Sequence, residues 1–465
     1  QTQVRHLRAE RLLPLLSVNT QLITLNAQHS TFMRGLLAFS PIIAMLLLLV
    51  GLSIYSGGVS NAPLLLIFVL AAMVAVVSLR GMKFSERVAI FSQGAGSKDL
   101  LLMVWIFMLA GSFAASAKDM GAAGAMVDLT LQFLPARFAL AGLFIAACLT
   151  SLCMGTSVGT IVALMPIASG MAERTEMTVP MVVAAVVGGA FFGDNLSFIS
   201  DTTIVSTQSQ GCRLSDKFRF NLKMVLPIAI VVCAMYLFIG SSAVAVQSTG
   251  VDAAWWKVVP YLAVLVCAAC GMHVLIVLAI GNLLTCVTGL LDGSFDLLSW
   301  IQSTLQGVMG MSELILISMM AGGIFAAISY NGGMEFMLRH ISRRISTRRG
   351  AELSICSLVA FANVCTSNNT VSILSVGGMA RRVAEQYDID PRRSASLLDT
   401  TSCAVQGLLP YGAQLLMASG LAGISALSIV PYLYYPMLLA LVVLVTIIVR
   451  PDHSSSSSSS SESNR

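Results

Sequence analysis

Apolar runs long enough to cross a bilayer recur along this chain, and they leave few folds open to it. Leu36–Tyr55, Ala62–Leu79, Leu100–Ala117, Met224–Ser241, Glu313–Tyr330 and Tyr432–Val449 each approach or meet a helical span, which needs ~18–20 apolar residues. Of the 465 residues, 56% are hydrophobic and 11% charged, whereas a soluble domain carries roughly 25% charge. No period-two alternation suggests a β-barrel. The expected fold is all-α: a polytopic membrane protein of about 10–12 transmembrane helices, with lipid as its surroundings. The net charge of +5 does not point to nucleic acid, because the basic residues cluster in short segments beside apolar runs, as the positive-inside rule describes.

Residues 1–32 read as a peripheral extension: Leu12–Leu25 is interrupted by Pro14, Asn19 and Gln21 and has no signal-peptide pattern. Residues 33–450 form the membrane domain, and 451–465, with Ser454–Ser461, read as a disordered tail. Arg80, Lys83 and Arg87, the segment Arg213–Lys223, and Arg339–Arg349 mark cytoplasmic loops, which makes both termini cytoplasmic and the location a bacterial inner (plasma) membrane. Phe84–Gly96 reads as an interfacial amphipathic helix, Gly121–Leu134 as a short helix containing Asp128, and Val258–Gly289 as two close spans parted near His273, a turn or interface residue. Nine of the ten cysteines lie in apolar segments and read as small hydrophobes. Cys267-x-x-Cys270 has no second pair to complete a zinc site.

Four segments break the pattern. Met154-Gly155-Thr156-Ser157-Val158-Gly159-Thr160 joins two short apolar arms, and Thr366-Ser367-Asn368-Asn369-Thr370 joins two more. Both read as re-entrant hairpins, whose non-helical tips must line a cavity or be buried in protein. Gly188–Gln210 and Gln406–Gly412 read as interruptions in two long spans. A shift of 212 residues lays Cys153 on Cys365, Ile161 on Ile373, Arg137 on Arg349 and Glu173 on Glu385. Hence two repeats are expected, about 84–243 and 297–450. Arginines flank the second hairpin densely and the first sparsely, so the repeats are expected to be inverted, as in many secondary transporters.

The chemistry concentrates in GGAFFGDNLSFISDTT. Asp194 and Asp201 stand seven residues apart, about two turns, which on an unbroken helix puts them on one face. A carboxylate in hydrocarbon costs at least ~2.5–3.5 kcal/mol, so it marks an ion path by default. Sodium takes oxygen ligands. Asp194, Asn195, Ser197, Asp201 and Thr202 supply them at the first break, Thr156, Ser157 and Thr160 at the first tip, and Asn368, Asn369 and Thr370 at the second. Asp399 is the second repeat's comparable carboxylate. A carboxylate that holds either a proton or a cation supports exchange directly. The competing readings are a surface helix cap for either Asp194 or Asp201, cross-helix bonding for the hydroxyls and amides, and a structural role for Asp399. Gly155-x-Ser157-x-Gly159 fits the hydrolase elbow, but that motif needs a strand–turn–helix absent here. No Walker A or H-E-x-x-H occurs.

GGAFFGDNLSFISDTT resembles the signature of the NhaC-type sodium/proton antiporter family, much like GDxLSPxSDTT, with Phe198 where that pattern has proline. MGTSVGT resembles the family's GTSxGT. The resemblance spans roughly Met33–Arg450. It implies exchange of external protons for cytoplasmic sodium, with some relatives coupling sodium or protons to organic anions such as malate and lactate. It also implies that Asp194 and Asp201 are the metal-binding carboxylates for transported Na⁺, with Thr156, Ser157, Asn368 and Asn369 nearby. The expected function is therefore a non-enzymatic Na⁺/H⁺ antiporter without a cofactor, its expected partners the transported cations and a second copy of the chain. The alternatives are a coupled exchanger of small carboxylates or amino acids, and a channel or sensor.

Overall fold

The computed structural model describes residues 37–55, 63–122, 125, 135–175, 177–198, 200–240, 255–270, 272–342 and 347–449. Asp128 and most of its expected helix lie outside them. Among the described residues every regular element is helical. Six helices among the described residues are long and apolar enough to cross a membrane, seven if the bent pair Pro391–Ala422 with Ala426–Tyr432 counts as one, and four shorter apolar helices accompany them. Together the six or seven and the four make ten or eleven, in line with the 10–12 expected.

The irregular segments form as two hairpins and two broken spans. The first hairpin is Ala136–Met154 and Ser157–Arg174, and the second is Arg348–Thr366 and Asn369–Gln386. The first broken span is Val179–Leu196 and Asp201–Gln210, and the second is Pro391–Leu408 and Ala413–Ala422. Each boundary in the first set recurs in the second after a shift of 212 residues. The tips repeat as well. Gly155 and Ser367 close the first arms in the left-handed region, at φ 67° and 49°. Thr156 and Asn368 then extend at φ −144°, with ψ 123° and 119°. Glycine takes that left-handed position freely, and serine only against steric resistance.

The halves are exchanged across the molecule. Asp201–Gln210 packs on the Asn369–Gln386 arm of the second hairpin, and Ala413–Ala422 packs on the Ser157–Arg174 arm of the first. Phe84–Ala95 crosses Ser312–Tyr330 through Gly94 and Gly322, while Lys98–Asp119 crosses Leu297–Gly310 through Gly111 and Gly307. At these crossings a Cβ on one glycine would fall 2.1–2.5 Å from the carbonyl oxygen of its partner, except on Gly322, where it would lie 2.8 Å from Gly94 O. Phe84–Ala95 is thus packed along one face on a neighbouring helix rather than merely lying at an interface. Reciprocal contacts of this kind are what a two-fold relation between halves produces.

The first broken span is the centre. Its apolar window is 94% buried, against 33% for Leu214–Gly240. Gly189 and Gly193 let it close on the first hairpin: a Cβ on Gly193 would lie 2.1 Å from Ser151 Oγ and 2.5 Å from the Ser151 carbonyl carbon. Small residues one turn apart permit this approach.

One expectation is corrected. Arg213–Lys223 is not a loop, because the helix Leu214–Gly240 already runs through most of it. Lys217, Asn221, Val225 and Ile228 recur at three- and four-residue spacing and face inward. Val258–Gly289 does divide as expected, into Val259–Ala269 and Val274–Asp292. His273 caps the second helix by accepting from the Leu275 N–H at 3.3 Å.

Candidate ion-binding site

The break in the first span falls between Leu196 and Asp201, where Ser197 and Ser200 are both extended. Extended residues cannot continue the i to i−4 ladder, so backbone carbonyls at the end of the first half lose their helical donors. Side chains of the second half supply replacements. Thr202 Oγ1 and Thr203 Oγ1 donate to the Asp194 carbonyl at 3.3 and 3.2 Å. Ser197 Oγ donates to Leu152 O at 3.0 Å and ties the break to the first hairpin. Phe198 stacks on Phe218, centroids 4.5 Å apart.

Asp194 is buried at 3% exposure, and its Oδ1 accepts from the Ser157 backbone N–H at 3.1 Å. The carboxylate thus meets the start of the second hairpin arm, where helical N–H groups are unpaired and the helix end favours negative charge. Asp201 is placed otherwise. It is the first residue of Asp201–Gln210 and is exposed. The break interrupts the two-turn spacing, so the two carboxylates do not share a helix face.

The second carboxylate at the centre is Asp399, fully buried. Its Oδ2 accepts from Lys217 Nζ at 2.6 Å and from Asn221 Nδ2 at 3.1 Å. Lys217 is also fully buried, and it donates to Thr203 Oγ1 at 2.6 Å and Asn195 O at 3.3 Å. Sequence reasoning missed Lys217 and Asn221 because they stand among Arg213, Arg219 and Lys223, which look like a cytoplasmic cluster. The available signal was their four-residue spacing in register with Val225 and Ile228.

The second repeat joins through amides. Gln406, which the 212-residue shift places opposite Asp194, donates to Ser367 O at 2.8 Å and to Gln414 Oε1 at 3.0 Å. Gln414 donates to Ser157 Oγ at 3.0 Å. A hydrogen-bonded chain therefore runs from the second tip through the second break to the first tip and Asp194. Three buried amide oxygens on its members or neighbours, Asn195 Oδ1, Asn221 Oδ1 and Gln406 Oε1, accept no hydrogen bond among the described residues.

The remaining expected residues have assigned local partners. Asn195 Nδ2 donates to Phe191 O and to the Tyr435 hydroxyl. Thr156 O accepts from Thr160 Oγ1, Asn368 Oδ1 caps the second arm at Val371 N, and Asn369 Oδ1 accepts from Thr370 N. Thr370 itself is half-buried. A cavity of about 500 Å³ reaches this tip, lined by Thr366 and Asn368 and, from across the molecule, by Gln93, Ser97, Ser329 and Tyr330. Among the described residues no group of three His, Cys, Asp or Glu could hold a resident metal ion.

A sequence profile described as the Na⁺/H⁺ antiporter family matches residues 4–241 and again 241–450. The chain belongs to the Na⁺/H⁺ antiporter family. It is a transporter of the multi-pass membrane type. It is 26% identical over 450 residues to an uncharacterized Na⁺/H⁺ antiporter of Haemophilus influenzae, covering 87% of this chain and 94% of that one. It is 23% identical to the Na⁺/H⁺ antiporter NhaC of Bacillus subtilis, covering 73% and 81%. It is 20% identical to the malate-2H⁺/Na⁺-lactate antiporter of the same organism, covering 73% and 78%. A solved structure of the antimetabolite efflux pump MtrF of Neisseria gonorrhoeae aligns over 88% of this chain and 95% of that one, at 11% identity and a TM-score of 0.35. That similarity is too slight to bear on the fold.

Proposed function

We propose that this antiporter moves cytoplasmic Na⁺ outward in exchange for external H⁺, with Asp194 as the group the two ions share. The observation that carries this is the unequal pairing of the two buried carboxylates at the centre, Asp194 and Asp399. Asp399 is neutralised by Lys217 at 2.6 Å, whereas Asp194 is held by Ser157, whose backbone N–H donates to it at 3.1 Å, and has no ion-pair partner among the described residues. A buried carboxylate without a counter-charge is strongly disfavoured, so Asp194 holds either a proton or a cation. One uncompensated charge suits one monovalent ion. The unbonded amide oxygens of Asn195, Asn221 and Gln406 are the neutral oxygen ligands that sodium takes. The chain from Asp194 through Ser157, Gln414 and Gln406 crosses both repeats, so binding at Asp194 bears on the contact that must change as access alternates.

A second reading, exchange of small carboxylates or amino acids, draws on the relatives named as a malate/lactate antiporter and as the arginine/ornithine antiporter ArcD of Halobacterium salinarum, 22% identical. It needs a cation to hold the carboxylate. The two buried basic residues among those described, Lys217 and Arg393, are already paired with Asp399 and Glu352, which favours the first reading. Reconstituted vesicles separate them. Na⁺-driven proton movement should be present in the wild type and absent in Asp194→Asn, with no uptake of labelled malate, lactate or arginine. Full Na⁺-driven proton flux in the variant would refute the assignment of Asp194, and organic-anion uptake would favour the second reading.

A further inference from the structure

A cleft of about 730 Å³ lies away from the ion site, between Leu214–Gly240, the start of Pro391–Leu408 and the last helix, Tyr434–Val449. Its walls are apolar: Met224, Pro227, Ile228 and Val231 on one side, Leu438 and Val442 on the other. One end is basic, with Arg219, Lys223, Arg392 and Arg393 against a single carboxylate, Asp216. Two of these cations are spoken for, Arg392 by Asp390 and Arg393 by Glu352. Arg219 and Lys223 are exposed and have no ion-pair partner among the described residues. They stand four residues apart, on one helix face. Arg393 is built in: it is 3% exposed and donates to Thr446 Oγ1 at 3.1 Å, joining two walls of the cleft. Pro227, midway along its helix, removes one bond from the ladder beside the cleft.

We propose that this cleft binds one anionic phospholipid, its phosphate on Arg219 and Lys223 and an acyl chain along Ile228, Val231, Leu438 and Val442. The chemistry is complementary at both ends: free cations at the basic end and an apolar trough running one to two turns from them. Basic pockets between transmembrane helices on the cytoplasmic side are suited to such head groups, and clustered lysine and arginine mark that side here. A small anion would use the basic end but leave the apolar walls in contact with water. The position has a consequence. Arg219 and Lys223 follow Lys217 on one helix, and Arg393 precedes Asp399 by six residues on the other. A lipid bound there braces the two helices that hold the central ion pair.

Native mass spectrometry of the full chain, released from vesicles of phosphatidylcholine with phosphatidylglycerol, tests this. The wild type should retain one phosphatidylglycerol in preference to phosphatidylcholine, and the doubly substituted Arg219→Gln/Lys223→Gln chain should lose that preference roughly tenfold or more. Phosphatidylglycerol should raise the melting temperature of the wild type and not of the variant. Substitution of Lys83 and Arg87, outside the cleft, should change neither readout. Equal retention by wild type and Arg219→Gln/Lys223→Gln overturns the proposal. So does displacement of the retained lipid by 10 mM inorganic phosphate or malate, which would mark a small-anion site. Neither readout depends on transport, so the outcome is independent of the ion-exchange reading.

Discussion

Asp399 and Lys217 each lack any access to water, so neither tolerates the loss of the other. Breaking a buried pair on one side typically costs about 3–5 kcal/mol, while replacing both members with apolar residues of similar size is often neutral. Lys217→Met and Asp399→Leu are each expected to lower the melting temperature of detergent-purified protein sharply, and the double variant to recover most of the loss. Additive losses in the double variant would show that the two charges do not act as a pair. Asp201 should behave differently from Asp194, because it is exposed at a helix start. Asp201→Asn should retain most Na⁺-driven proton flux, and flux as low as in Asp194→Asn would return Asp201 to the ion site. The burial of Asp194 was legible from the sequence because it stands between long apolar runs. That of Lys217 was not, since a lysine among other cations reads as a surface residue until the helix carrying it is known to start at Leu214.

The broken span is held to its hairpin by the absence of side chains. A methyl on Gly193 would lie 2.1 Å from Ser151 Oγ, 2.2 Å from its Cβ and 2.5 Å from its carbonyl carbon, and a rotamer change moves only the first of these. Overpacking of this kind costs typically 1–3 kcal/mol. Gly193→Ala is expected to lower stability by about that amount, and Ser151→Ala added to it should restore little, because the backbone contact remains. Full thermal stability in Gly193→Ala would show that the helices have room to part. The hairpins and breaks themselves could be read from the sequence, since glycine and hydroxyl residues between short apolar arms admit few other structures in a bilayer. Which side chains cross between them could not. The link from Gln414 to Ser157 joins residues 257 apart in the chain, and no local pattern encodes it.

Across the whole molecule, the helix boundaries that recur after 212 residues and the reciprocal glycine crossings fit two halves exchanged about a two-fold axis. Cys153 with Cys365 and Glu173 with Glu385 carried that relation in the sequence. The inverted arrangement proposed for them puts the two hairpin bases on opposite faces of the membrane. In a background with the native cysteines removed, a cysteine at Thr178 and one at Asp388 should react with an impermeant maleimide from opposite sides of sealed vesicles. Labelling from the same side would rule out inversion. The halves are alike in architecture yet unlike in charge, Gln406 standing opposite Asp194, so the proposed exchange has Asp194 alone take both ions in turn. The most direct test of that claim is the apparent KM for Na⁺, measured in reconstituted vesicles at a series of pH values. A shared site predicts that KM rises as pH falls, with the rate at saturating Na⁺ unchanged, and that Asp194→Asn shows no Na⁺-dependent proton flux at any pH. A KM independent of pH, or pH-dependent Na⁺ exchange surviving in Asp194→Asn, would contradict it.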